Sequence, residues 1–131
     1  MKKRLVGIDT GFLLALLRGR KRAVEEWERI LEEGIPVVSV IVLLELELLR
    51  HRGILNPEAV SLLKEMILLR CRVVEVDEEI AGLAANIIHG TGMSVVDALI
   101  CASYYNCDLV YTDRDVFKKV FPKHRPLLVM V

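Results

Sequence analysis

Apolar residues along this chain fall into short runs separated by longer stretches of helical period. Leu5-Val6-Gly7-Ile8 is the first such run. It stops at Asp9-Thr10-Gly11, a turn-like tripeptide leading into a helix from Phe12 to Leu17. After Gly19 and a basic segment, Val24, Trp27, Ile30 and Leu31 mark one face of an amphipathic helix that Gly34 can cap. Ile35 to Val38 reads as a second strand, and Ser39 can cap a helix that carries Glu45 and runs to about Arg52. Asn56-Pro57-Glu58 supplies a cap, a first-turn proline and an acid, which predicts a helix to about Arg70. Cys71 to Val76 alternates as a third strand, Asp77 caps a helix from Glu78 to about His89, and Gly90-Thr91-Gly92 links it onward. Ser94 and Asp97 have capping-box spacing, and the helix they start, Val95 to Tyr105, is apolar on nearly every face and so buried. Leu109 to Tyr111 is a fourth strand. A short helix follows Asp115, Pro122 and Pro126 bracket a turn, and Leu127 to Val131 is the last strand.

Five short apolar strands separated by helices predict one α/β domain over residues 1–131, with a largely parallel five-stranded sheet flanked by helices. Composition then narrows the classes. Hydrophobic residues make up 53% of the chain, and the mean hydropathy of +0.42 is high, so some apolar surface is expected to meet a partner. No run approaches the roughly 18 uncharged apolar residues of a membrane span, since Glu45 and Glu47 interrupt Val37 to Leu49. Lys2-Lys3-Arg4 precedes apolar residues, but Asp9 breaks that run too early for a signal peptide. A cytoplasmic protein with no membrane partner is expected. Cys71, Cys101 and Cys107 lack paired zinc-ligand spacing and read as buried thiols, and the scattered His51, His89 and His124 suggest no metal role. Basic and acidic residues balance at 18 each, so any nucleic-acid binding must be local.

The acids are the unusual feature. Asp9 and Asp113 lie just beyond strand ends, where open α/β sheets bind ligands, and Asp97 opens the buried helix. Glu45 and Glu47 cannot share a helix face, so one of them points somewhere unusual. Each acid has an ordinary alternative: a cap for Asp9 or Asp97, a solvated face for Glu45, a turn for Asp113 or Asp115. Four separate segments placing an acid near an apolar strand end or helix start make those alternatives weaker together. Such acids repel one another unless a cation neutralises them. Oxygen ligands without His or Cys favour Mg²⁺ or Mn²⁺, ions suited to phosphodiester chemistry. Arg18, Arg20, Lys21 and Arg22 are candidate nucleic-acid-binding residues, with a solvated loop as the alternative.

These segments resemble the PIN-domain ribonucleases, in particular their short VapC-type toxin members, over essentially the whole chain. Ile8-Asp9-Thr10-Gly11 resembles the family's opening hydrophobic-Asp-Thr/Ser motif, with Gly11 where Ser or Asn is commoner. Ser39 through Glu45 resembles the second motif, and Ser94-Val95-Val96-Asp97-Ala98-Leu99-Ile100-Cys101-Ala102 matches the third most closely. The fourth, usually Thr-x-Asp-x-Asp-Phe, departs as Thr112-Asp113-Arg114-Asp115-Val116-Phe117. Pairing Tyr111 with the motif's Thr puts Asp113 on the acid. Pairing Thr112 puts Arg114 there, and a local slip brings in Asp115. Asp113 is the favoured fourth acid and Asp115 the reserve.

The resemblance implies a metal-dependent endoribonuclease that uses Mg²⁺ or Mn²⁺ to activate water. Asp9, Glu45, Asp97 and Asp113 would be the catalytic and metal-holding residues, Asp115 a further ligand, and Thr10, Ser39 and Thr112 supporting groups. It also implies an RNA substrate, a homodimer and, in a toxin-antitoxin pair, an antitoxin protein. Two alternatives remain: a PIN-fold interaction module with weak or no catalysis, favoured by the irregular fourth motif, and a DNA-directed nuclease. A receiver-like signalling domain fits less well, for want of a phosphoacceptor Asp after the central strand and a Lys after the last. The helices spanning Val40 to Arg52 and Pro57 to Arg70 are apolar on more than one face and predict a two-fold dimer, with Leu63 and Ile67 as expected interface positions.

Overall fold

Strand β1 (Arg4–Ile8) ends in three consecutive buried residues, Gly7 among them, because it lies in the middle of the sheet with neighbours on both edges and helices over both faces. It is joined by β2 (Gly34–Ser39), β3 (Arg72–Val74), β4 (Leu109–Thr112) and β5 (Leu127–Met130) in the order β3-β2-β1-β4-β5, and every pairing is parallel. The helices are α1 (Thr10–Leu17), α2 (Lys21–Glu33), α3 (Val40–His51), α4 (Pro57–Arg70), α5 (Glu78–Thr91) and α6 (Val95–Ser103), followed by a 3-10 turn at Asp115–Lys119. This is a computed structural model, and it describes residues 2–121 and 126–131. The expected single α/β domain with a parallel five-stranded sheet is the observed architecture.

The connectivity decides where a site can form. From β1 the chain steps outward through β2 to β3, then returns by way of α5 and α6 to lay β4 on the other side of β1. The sheet therefore has its switch point between β1 and β4, where the connections leaving the strand ends diverge and open a crevice. The two strands are held in register there, Ile8 opposite Tyr111, with the Asp9 N–H donating to the Tyr111 carbonyl at 3.0 Å.

Caps set most element boundaries. The Asp9, Ser39, Asn56, Asp77 and Ser94 side chains each accept a backbone N–H at the start of the helix that follows. Several expected boundaries shift. The third strand covers only Arg72–Val74, since it pairs with just the last residues of β2. Helix α5 continues through Gly90 to Thr91 and stops at Gly92, whose φ of 71° suits glycine. Helix α6 ends at Ser103, short of Tyr105. On α2 the buried residues are Ala23 and Ile30, whereas Val24 and Leu31 are exposed, so its core stripe is rotated from the expected one. The turn expected between Pro122 and Pro126, with His124, falls on 122–125, outside the described residues.

Candidate functional site

Among the described residues, the buried polar side chains are Asp9, Thr10, Ser39, Ser103 and Thr112. All but Ser103 sit at the C-terminal ends of β1, β2 and β4, along the edge that carries the switch point. Burying polar groups there costs free energy unless each finds a partner, and no buried side-chain polar atom among the described residues lacks one.

Asp9 is the centre of the cluster and is fully buried. Its Oδ1 accepts the Thr10 N–H at 2.8 Å, which is the cap of α1, and its Oδ2 accepts the Thr112 hydroxyl at 2.6 Å. One oxygen of Asp9 thus makes the expected cap, and the other faces the cluster. Glu45 projects from α3 to the same place, where its Oε1 accepts the Thr10 hydroxyl at 2.7 Å. Glu47, on another face of the same helix, turns outward to Arg50 and Lys64, and those hydrogen bonds hold its carboxyl below the usual range. Asp97 comes from the first turn of α6. Its backbone N–H donates to Ser94 Oγ at 3.2 Å, while its carboxylate faces the cluster.

The group at the meeting point of the three carboxylates is Arg114. Its Nε donates to Asp9 Oδ2 at 2.8 Å, its Nη1 to Asp97 Oδ1 and its Nη2 to Glu45 Oε1. Its backbone N–H donates to Thr112 Oγ1 at 3.0 Å, so the base of the side chain is anchored to the same threonine that holds Asp9. The positive group that pairs with all three acids is a guanidinium. Of the fourth motif's residues, Arg114 reaches the three acids while Asp113 stands at the rim of the cleft.

Burial raises the pKa of Asp9 above the ordinary carboxylate value, and the Arg114 charge with the bonds from Thr112 and Thr10 offsets part of that rise. Burial by itself lowers the pKa of Arg114, but the bond to Glu45 and the charges of Asp9 and Glu45 more than reverse this. The guanidinium therefore stays charged, and Asp9 depends on a neighbouring cation to remain an anion.

The other expected site residues are placed differently. Asp113 is exposed and lies against Gly11 at the rim of a cleft of about 240 Å³, whose lining also includes Thr10, Glu45, Arg52 and Arg114. A Cβ on residue 11 would sit 2.4 Å from the Asp113 Cγ, so Asp113 in this position requires the glycine. Asp115 is exposed and pairs with Lys118 at 3.0 Å. Ser39 acts as a tie: its hydroxyl hydrogen-bonds Ser103 Oγ at 2.9 Å and accepts the Ile41 N–H. Arg20, Lys21 and Arg22 line a separate cavity with Phe12, Glu26 and Tyr111, and Arg18 is exposed at the end of α1.

Three further residues matter that were not among the expected site residues. Arg52 brings a positive side chain to the cleft from just beyond α3. Arg114 is the second. The third is Tyr104, fully buried, whose hydroxyl donates to the Ile8 carbonyl and accepts the Ser39 N–H at 3.1 Å. It thereby joins the ends of β1 and β2, from which Asp9 and the Glu45 helix emerge. Its ring lies across Gly7, where a Cβ would come within 2.9 Å. A glycine in a central strand was the available signal for that close approach.

The donor set of Asp9, Glu45 and Asp97 is oxygen only, which fits a hard divalent cation. The space between them is taken by Arg114, and among the described residues no group of three or more His, Cys, Asp or Glu side chains is placed to hold a metal ion. The thiols offer no substitute: burial pushes Cys71, Cys101 and Cys107 up to about 12.

A sequence model described as the PIN domain matches residues 6–121. No curated protein matches the sequence. The fold is similar to that in VapBC2 from Rickettsia felis bound to a promoter DNA fragment, at 15% identity and a TM-score of 0.77 over 97% of this chain and 98% of that one. It is similar to DNA-bound VapBC from Salmonella typhimurium, at 18% identity and a TM-score of 0.72 over 99% and 98%. It is also similar to VapC20 of Mycobacterium tuberculosis, a sarcin-ricin loop cleaving toxin, at 24% identity and a TM-score of 0.66 over 92% and 99%.

Proposed function

Since this chain belongs to the PIN domain family, we propose that it is an endoribonuclease dependent on Mg²⁺ or Mn²⁺, acting as the toxin of a toxin-antitoxin pair. The observation that carries this reading is the convergence of Asp9, Glu45 and Asp97, from three separate elements, at the switch point of a parallel sheet. Three carboxylates against one guanidinium leave that point negatively charged, which favours a divalent cation over a second organic base. A bound divalent cation supplies Lewis acidity for water activation and charge for the departing oxygen.

The protein's own groups do the rest. Thr10 and Thr112 hold Asp9 and Glu45 in fixed orientations through short hydrogen bonds, so little reorganisation is needed when substrate arrives. Asp97 stands at the exposed side of the cluster and faces incoming backbone. Arg52, and Arg114 on the wall of the same cleft, supply donors suited to phosphate oxygens. The reaction is attack of water on phosphorus with cleavage of the bond to the leaving ribose oxygen. Asp113 remains a candidate fourth acid from the rim, with Asp115 in reserve.

An antitoxin partner is supported by the VapBC complexes among the similar structures. A homodimer is supported by the outward face of α4, where Leu62, Leu68 and Leu69 are exposed. Leu63 and Ile67 are buried within the protomer and do not serve as interface positions. Reading the chain as a PIN-fold interaction module is favoured by one observation, the arginine in the cation's place. Purified protein incubated with structured RNA and with single-stranded DNA, each with Mn²⁺ or with EDTA, separates the readings. Cation-dependent RNA cleavage is expected. Cleavage of DNA alone favours the DNA nuclease, and cleavage of neither favours the module.

A further inference from the structure

The guanidinium of Arg114 spends three of its donors on three carboxylates drawn from α1's cap, α3 and α6. An ordinary surface arginine pairs with one acid. Here the three acceptor oxygens all point at one group, so a cation coordinated by those oxygens and the guanidinium would need the same space. Mg²⁺ takes its ligands at about 2.0–2.1 Å, and Asp9 Oδ2 is already engaged by the Arg114 Nε at 2.8 Å.

We propose that Arg114 is a built-in plug that competes with the divalent cation for Asp9, Glu45 and Asp97, so that cation binding requires its side chain to swing out of the cluster. This deepens the reading of the site as a cation-dependent nuclease centre and rests on it. Two features permit the motion. The Arg114 side chain is partly exposed, at 16%, and it already lines the open cleft beside Arg52 and Asp113. Its backbone is fixed by the bond to Thr112, so release needs only side-chain rotation and leaves β4 and the Asp9 anchor in place.

The motion also has a destination. Asp113 offers an exposed carboxylate on the same cleft, and the phosphate oxygens of a bound RNA offer bidentate acceptors for a guanidinium. With the plug in, the guanidinium engages an oxygen of each of the three acids. With it out, the acids are free and the cleft wall gains a positive arm. Apparent cation affinity then scales with the fraction of molecules in which Arg114 is out.

The test is Mn²⁺ binding, measured by calorimetry and by the loss of the free-ion electron spin resonance signal, on the wild-type chain, Arg114→Gln and Arg114→Lys. Arg114→Gln is expected to bind Mn²⁺ at least about tenfold more tightly than wild type, since removing the plug removes the unfavourable fraction. Arg114→Lys, with one ammonium unable to span three acids, is expected to fall between. Adding Asp97→Asn to Arg114→Gln should return the affinity toward wild type. Equal or weaker binding by folded Arg114→Gln overturns the plug and leaves the nuclease reading standing. Absence of Mn²⁺ binding by wild type and both variants overturns the plug and the cation-dependent reading together. Should the variants fold poorly, the wild-type chain decides alone. The protected Arg114 Nε–H resonance should be lost to solvent exchange at saturating Mg²⁺, and its persistence under saturation overturns the proposal.

Discussion

Tyr104 shows how much of the site rests on a single buried hydroxyl. It closes β1 against β2 by bonding the Ile8 carbonyl and the Ser39 N–H, one residue away from Asp9 on one side and at the cap of α3 on the other. Burial and the nearby Asp9 charge hold the phenol well above its ordinary pKa, so it stays a neutral donor. Tyr104→Phe leaves both backbone groups short of a partner and is expected to lower stability by about 1–3 kcal/mol, read as a reduced urea midpoint with unchanged slope. An unchanged midpoint would show that the tie carries no weight. At this scale the sequence made Asp9, Glu45 and Asp97 visible, because each is an acid set into an apolar run where only a bound or paired carboxylate is tolerated. Arg114 was visible only as one of several motif pairings. Its partners lie 17, 69 and 105 positions away, a separation that no local pattern encodes.

Among the elements, α4 carries the clearest consequence. Its inner face, Val60, Leu63 and Ile67, repeats at helical spacing and packs into the core, while Leu62, Leu68 and Leu69 stand in solvent at 59%, 66% and 72% exposure. An apolar helix face of that kind marks a contact surface, and a two-fold dimer is the proposed occupant. Leu68→Glu is expected to convert a dimer to a folded 14.8 kDa monomer in light scattering, whereas Leu63→Glu should unfold the protomer by burying an unpaired charge. A wild-type chain already monomeric at high micromolar concentration would contradict the dimer. The starts of α1, α3, α4, α5 and α6 were legible because each carries its own capping side chain, whereas α2 begins after Arg20 without one. The extent of β3 was not, since Cys71 to Val76 has the alternation of a longer strand and its length is set by how far β2 reaches. The two apolar faces of α4 were legible as a surplus, but which face turns inward depends on β3 and α3.

For the whole molecule, the order β3-β2-β1-β4-β5 sets β1 in the middle of an all-parallel sheet, and it places every element that contributes an acid at one crevice. That placement is what a run of strands and helices could predict in outline: a parallel sheet with chemistry at the C-terminal strand ends. What it could not predict is that the molecule supplies its own cation there. The proposed hydrolytic centre consists of Asp9, Glu45 and Asp97 with a divalent cation present. The most direct measurement is cleavage of end-labelled structured RNA in Mn²⁺ by wild-type protein and by Asp97→Asn, whose backbone N–H keeps its bond to Ser94 and whose fold is checked by circular dichroism. Cleavage by the wild type is expected, with a loss of at least about a hundredfold in the folded variant, the scale of removing one group that acts on transition-state charge. Cleavage by folded Asp97→Asn at the wild-type rate would contradict it.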